Sequence, residues 1–258
     1  MSVAESKEIL RAENLGITFG GLKAVQNFEI QINQGELMGL IGPNGAGKTT
    51  IFNMLTGVYQ PTTGKIFIEG KEVHAKKPYQ MVKHGVSRTF QNIRLFKELS
   101  VLENVKAAFN QSMKYNVAEG ILRMPRYWKE EQEIDRKSRE YLAVFGMDHL
   151  ADYTACNLPY GQQRKLEIAR ALATDPKVLL LDEPAAGMNP TETAELMATI
   201  EIIRKQYNLS ILLIEHDMSL VMGICERLVV IDYGQIIATG TPYDIANDPK
   251  VIGAYLGV

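Results

Sequence analysis

Residues 42–50 read GPNGAGKTT and follow directly on the apolar stretch GELMGLI. No other feature narrows the fold as much, because Gly42-x4-Gly47-Lys48-Thr49 works only between a buried strand and the start of a helix. The glycines let the backbone curl until the N–H groups along Asn44, Gly45, Ala46 and Gly47 face an anion at the positive end of that helix. Lys48 then sets a point charge against the β- and γ-phosphates of a nucleotide. The Thr49 hydroxyl, with Thr50 next to it, offers a ligand for Mg²⁺. An ordinary glycine turn with a stray lysine would need neither the strand before nor the helix after. The pattern itself does not choose among kinases, GTPases, motors and transport ATPases. A GTPase would carry an Asn-Lys-x-Asp base-reading segment after a strand, and the sequence has none.

The rest of the chain supplies the layers such a loop needs. ILRAENLGITF and AVQNFEIQI alternate polar and apolar residues on either side of Gly20–Gly21, which predicts antiparallel strands joined by a turn. GKIFIEG reads as a further strand. From 161 onward, helical patterns alternate with the apolar runs VLLLD, ILLIEHD and RLVVID, predicting a largely parallel sheet covered by helices. Between them, VLENVKAAFNQ and WKEEQEIDRKSREYLAVFG are helical and more charged, and 115–127 (YNVAEGILRMPRY) reads as an irregular connection. The expected architecture is α/β: a P-loop NTPase core over 1–91 and 161–258, an N-terminal antiparallel β subdomain, and an inserted α-helical subdomain over 92–160.

Two carboxylates follow the strand VLLL. Asp182 resembles the Walker B aspartate, which holds Mg²⁺ through its water shell. Glu183 stands where a carboxylate polarises an attacking water as general base, although a strand-end surface carboxylate would look the same. His216, after ILLIE, is placed to contact a γ-phosphate, although a lone histidine after a strand is often incidental.

NLPYGQQRK at 157–165 opens the helix that leads into this strand. Leu158, Gly161 and Gln162, with Tyr160 between them, resemble the LSGGQ signature of ATP-binding cassette proteins. The other elements of that family occur in its order. Phe19 in ITFGGLKAV matches the aromatic that stacks on adenine, against the plain alternative of a core phenylalanine. Gln91 in RTFQNIRLF matches the glutamine that reaches Mg²⁺ and the nucleophilic water. AAGMNP at 185–190 matches the D-loop and includes Asn189, and His216 matches the switch histidine. The resemblance covers almost the whole chain. It implies ATP and Mg²⁺ as cofactors, and a head-to-tail pair of cassettes in which each signature closes over the other's ATP. Gly161 would allow close backbone approach there, and the helix start favours negative charge.

Within that family the chain is similar to the ATP-binding subunits of branched-chain amino acid importers. LPYGQQRKLEIARALATDPKVLLLDEPAAGMNP, LLIEHDMSLVMGICERLVVIDYGQIIATGTP and the tail DPKVIGAYLGV carry that likeness. It implies ATP hydrolysis at the cytoplasmic face of the inner membrane, integral permease subunits as partners and, indirectly, a solute-binding protein. Two positions depart from the general pattern. Pro159 replaces the signature serine, and Asn189 replaces the D-loop aspartate. Because these lie on the surface offered across the dimer, pairing with a second, non-identical cassette subunit is expected.

Bulk properties agree. Lys and Arg number 28 against 30 Asp and Glu, so no basic excess points to nucleic acid. Cys156 and Cys225 follow no metal or disulfide spacing. The apolar runs are strand length, whereas a spanning helix needs about 20 apolar residues, and MSVAESKEIL lacks the order of a signal peptide. Two other readings compete. One is a soluble cassette ATPase acting on nucleic acid or ribosomes, disfavoured by the single cassette and near-neutral charge. The other is an ATP-regulated binding module with negligible turnover, disfavoured by Glu183 and His216.

Overall fold

The computed structural model describes residues 7–73, 76–113, 115 and 117–256. The chain divides into two compact units. The first comprises Met1–Arg88, Lys177–Pro184 and Ile200–Val258, and the second Thr89–Pro176 with Ala185–Thr199. The strands are β1 (Glu8–Phe19), β2 (Leu22–Asn33), β3 (Leu37–Ile41), β4 (Thr63–Ile68), β5 (Lys71–Glu72), β6 (Val86–Arg88), β7 (Val178–Asp182), β8 (Ser210–Ile214), β9 (Arg227–Asp232) and β10 (Gln235–Gly240). The helices are α1 (Lys48–Leu55), α2 (Pro78–Lys83), α3 (Val101–Lys106), α4 (Val117–Ile121), α5 (Pro125–Val144), α6 (Tyr160–Leu172), α7 (Pro190–Gln206), α8 (Met218–Ile224), α9 (Pro242–Ala246) and α10 (Pro249–Leu256).

All ten strands among the described residues lie in the first unit. One sheet has the order β2-β1-β4-β5 and is antiparallel throughout. Its β1–β2 hairpin turns at Gly20 and Gly21, both at positive φ, as the sequence predicts. The second sheet has the order β10-β9-β3-β8-β7-β6. It is parallel except for β10, which runs antiparallel on β9. Strands β3, β7 and β8 are buried at every position, which is why they read as unbroken apolar runs and not as alternation. The phosphate loop leaves the end of β3, Asp182 ends β7 and His216 follows β8. All three therefore stand at carboxyl ends of parallel strands, where open α/β sheets bind ligands.

The second unit is helical. On α5, Ile134, Ser138 and Leu142 are buried at helical spacing, while the other side chains of that 20-residue helix are exposed or half-buried. Helix α3 starts with a capping box in which Ser100 accepts from the Glu103 N–H and the Glu103 carboxylate accepts from the Ser100 N–H. Within the stretch expected to be an irregular connection, residues 117–121 and 125–127 are helical. Gly120 sits inside α4, and Pro125 stands in the first turn of α5, where its missing N–H costs nothing. The fold is thus α/β, with a P-loop NTPase core, an N-terminal antiparallel β subdomain and an inserted helical subdomain. Among the described residues no helix is long and apolar enough to cross a membrane.

Candidate functional site

The phosphate loop takes its shape from backbone that only glycine adopts easily. Gly42, Gly45 and Gly47 have φ of 151°, 81° and 107°. A Cβ on Gly42 would lie 2.0 Å from the Ile231 carbonyl oxygen, so that position forbids any side chain. Gly45 faces open space and needs glycine for its φ alone. Gly47 is the N-cap of α1 and offers no side-chain cap, so the backbone N–H groups at the helix start keep their anion-binding character. Ala46 is buried and Asn44 and Thr49 are exposed, with Thr50 half-buried behind them.

Lys48 is 6% exposed and folds back onto its own loop, donating to the Gly42 and Pro43 carbonyls at 2.7 and 2.9 Å. Burial lowers its pKa, opposed by the charges of Glu183 and Asp182. Its ammonium is thus held by loop carbonyls beside two carboxylates, and a phosphate is a stronger acceptor than either carbonyl.

Asp182 is 1% exposed at the end of β7. Its Oδ2 accepts from Arg88 Nη2 at 3.0 Å, and Arg88 Nη1 also donates to Asn53 Oδ1 and Thr56 Oγ1 of the α1 region at 2.7 and 3.3 Å. Arg88 was not singled out from the sequence, although it stands three residues before Gln91 in RTFQ. Among the described residues no group of three or more His, Cys, Asp or Glu could hold a metal by itself. The donor set suits a hard cation that keeps most of its waters: one hydroxyl, one buried carboxylate, and oxygens from a nucleotide.

Glu183 has φ of 48°, an uncommon value for a side-chain-bearing residue. Its N–H donates to the Ile214 carbonyl at 2.9 Å, which ties the residue to the end of β8. The Glu183 carboxylate and His216 Nε2 are 2.7 Å apart. A carboxylate only accepts, so Nε2 carries the proton in that bond. The structure therefore brings Lys48, Asp182, Glu183 and His216 into one cluster. Phe19, weighed as a core residue, is instead 44% exposed and packs edge-on against Tyr59 at 5.3 Å. A second residue absent from the sequence reading is Tyr255 on α10. Burial pushes its pKa up, opposed by a hydrogen bond with the Gly42 backbone.

In the second unit, Pro159 is the N-cap of α6 and makes no side-chain cap bond. Leu158 is buried and its carbonyl accepts from Gln163 Nε2 at 2.8 Å. The Tyr160 ring lies against Gly187, where a Cβ would meet Cε1 at 3.2 Å. Gly161 is buried, with Glu192 Oε1 3.1 Å from where its Cβ would stand, while Gln162 is half-buried. Asn189 Oδ1 accepts from the Glu192 N–H at 3.0 Å, and Glu192 Oε2 accepts from the Asn189 N–H at 3.1 Å. This reciprocal pair starts α7, so Asn189 has a capping role that an aspartate would fill equally. Gln91 is exposed, and its carbonyl accepts from the Arg164 guanidinium on α6.

A family model described as ABC transporter matches residues 25–186. Another, described as branched-chain amino acid ATP-binding cassette transporter, matches residues 235–258. Over 252 residues the chain is 46% identical to the high-affinity branched-chain amino acid transport ATP-binding protein LivG of Salmonella typhimurium, covering 98% of this chain and 99% of that one. It is 45% identical to the corresponding protein BraF of Pseudomonas aeruginosa, with the same coverage. A solved ATP-binding cassette of an ABC transporter, in its ADP conformation, superposes with a TM-score of 0.84 at 33% identity, covering 97% of this chain and 99% of that one.

Proposed function

This chain belongs to the ATP-binding cassette transporter family, and we propose that its ATP turnover energises import of branched-chain or related amino acids through separate membrane permease subunits. ATP binding and ATPase activity come with the family. The observation that carries the transported class is the near-full-length identity to LivG and BraF, joined by the C-terminal match at 235–258. These likenesses favour transport over a cassette ATPase acting on nucleic acid or ribosomes, and the net charge of -2 supports the same choice.

In this reading the adenine stacks on Phe19, and the loop Gly42–Thr50 wraps the phosphates. Lys48 gives up its loop carbonyls for the β- and γ-phosphates. Thr49, Asp182 and Gln91 are the residues that would hold Mg²⁺, which supplies charge neutralisation at the phosphates when bound. His216 orients Glu183, and Glu183 accepts a proton from the water that attacks the γ-phosphorus as the bridge to the β-phosphate breaks. Tyr160, Gln162 and Asn189 carry the surface offered to the ATP of the second cassette, beside the buried Leu158 and Gly161. Pro159 weakens that surface, and its confinement to one of two sites favours pairing with a non-identical subunit. The pair works as a peripheral assembly at the cytoplasmic face of the inner membrane, supplied indirectly by a solute-binding protein. Residues 1–91 and 161–258 act as the ATP-binding core. Within the helical block at 92–160, residues 92–105 receive a helix of the permease.

Reconstitution with the permease, a partner cassette and the solute-binding protein tests the reading through ATP-dependent uptake of labelled leucine, isoleucine and valine. Charge reversal at Lys97 or Glu98 should lower uptake and leave nucleotide binding unchanged. ATP turnover without uptake of any of the three would reject the transported class.

A further inference from the structure

Arg164 and Glu167 are 1% and 2% exposed, yet neither belongs to the nucleotide chemistry described above. They stand one turn apart on α6, with Arg164 Nη1 3.2 Å from Glu167 Oε2. Both reach main-chain groups of the segment around Gln91. Arg164 Nη1 donates to the Phe90 carbonyl at 2.7 Å, and Arg164 Nη2 donates to the Gln91 carbonyl. Glu167 Oε1 accepts from the Phe90 and Arg94 N–H groups at 3.4 and 3.2 Å. The guanidinium also sits 5.5 Å from the centre of the Tyr160 ring, at the first residue of α6. Its Nε is buried without a hydrogen-bond partner. One buried ion pair thus brackets Gln91 on both sides through backbone, and its arginine touches the start of the signature helix.

Charge-assisted bonds to backbone in a water-poor site are strong and geometrically exacting. A loop tied by four of them to one helix moves with that helix. Under the functional reading above, on which this inference rests, Gln91 serves the ATP on this chain's own phosphate loop, whereas Tyr160 and Gly161 face the ATP of the partner cassette. We propose that Arg164 and Glu167 are positioning residues that make the Gln91 segment and the start of α6 one rigid piece, so that occupancy of one ATP site is felt at the other. Neither residue need touch nucleotide. The coupling is reciprocal, since a rigid piece biased from one end is displaced at both.

The test removes the pair as a pair. Arg164→Met with Glu167→Leu replaces a buried ion pair by apolar residues of similar size, a change that folds are known to tolerate. Glu167→Gln keeps the shape and drops the charge. Amide hydrogen exchange reads the clamp directly at Phe90 and Arg94, whose N–H groups bond Glu167. In the double variant their exchange should quicken about tenfold or more while the α6 amides stay protected, with a smaller gain in Glu167→Gln. ATP binding by the isolated chain should be unchanged, and in the reconstituted transporter the Hill coefficient for ATP should fall toward 1. Unchanged exchange at Phe90 and Arg94 would overturn the clamp. Faster exchange with undiminished cooperativity would overturn the relay. A wild-type transporter that hydrolysed no ATP would defeat the functional reading instead, and the exchange arm would still decide the clamp.

Discussion

The phosphate loop and the segment around Gln91 both follow strands of one sheet, and they are held in opposite ways. The loop after β3 is held largely from within, with outside support limited to single bonds such as that from the Gly234 N–H to the Ala46 carbonyl at 2.9 Å and that between Tyr255 and the Gly42 backbone. Its glycines adopt φ values that other residues resist, and Lys48 bonds carbonyls five and six residues away. The segment after β6 is held from outside, by Arg164 and Glu167 more than seventy positions along the chain. Self-held backbone stays in shape whether or not the rest of the molecule changes, which suits a cradle for a constant phosphate group. Remotely held backbone takes its position from another element, which suits a segment that must report on something else. Arg88 is of the second kind, tying Asp182 to Asn53 and Thr56.

The contrast can be broken or sharpened by substitution. The largest effect is expected at Glu183, which either scheme of support must deliver intact. Glu183→Gln should slow hydrolysis about 10³-fold, or about 4 kcal/mol of barrier, while leaving ATP binding unchanged. Steady-state turnover beside an equilibrium binding assay checks it, and wild-type turnover would remove the general-base role. If this chain pairs with a non-identical cassette, the same change should cost more here than in the partner.

Next comes Arg88→Met, which removes the guanidinium that hydrogen-bonds the 1%-exposed Asp182 carboxylate. A loss of about 3 kcal/mol of stability is expected from breaking a buried pair on one side. Denaturant unfolding measures it, and a loss below about 1 kcal/mol would mean that Asp182 is held locally after all. Lys48→Ala should behave the other way, with little change in stability but ATP binding weakened by about 2 kcal/mol. A large stability loss there would show that the loop depends on its lysine and is not self-held. The smallest effect belongs to Pro159→Ser. It puts a side-chain oxygen at the N-cap of α6, which now lacks one, and should stabilise the chain by about 1 kcal/mol or less. A fall in melting temperature would show that the proline ring is needed to shape the entry to that helix.

The same contrast explains what could be read from the sequence. Lys48, Asp182 and Glu183 were legible because local backbone geometry demands their order and spacing. The buried strands announced themselves as apolar runs. Arg88, Tyr59, Tyr255 and the Arg164–Glu167 pair were not legible, because their partners lie elsewhere in the sequence and no spacing rule links them. Arg164 in GQQRKLEIAR looks like one more surface cation on a helix until its burial is known. The error at 115–127 had a different cause. YNVAEGILRMPRY reads as an irregular connection, but Gly120 sits inside α4 and Pro125 in the first turn of α5, where a helix tolerates it.

The order of strands in the larger sheet bears on how the molecule is made. Gly39, in the middle of β3, pairs with Leu213 on one side and Leu228 on the other. The antiparallel sheet needs only β1, β2, β4 and β5, all complete by Glu72. A chain leaving the ribosome can therefore close that sheet early, while Leu37–Ile41, buried at all five positions in the finished fold, has no strand to pair with until Ser210–Ile214 has been synthesised. Long-range parallel pairing of this kind folds slowly and leaves apolar strand exposed in the meantime. During translation, the segment that will carry the phosphate loop is the one most in need of protection from other chains.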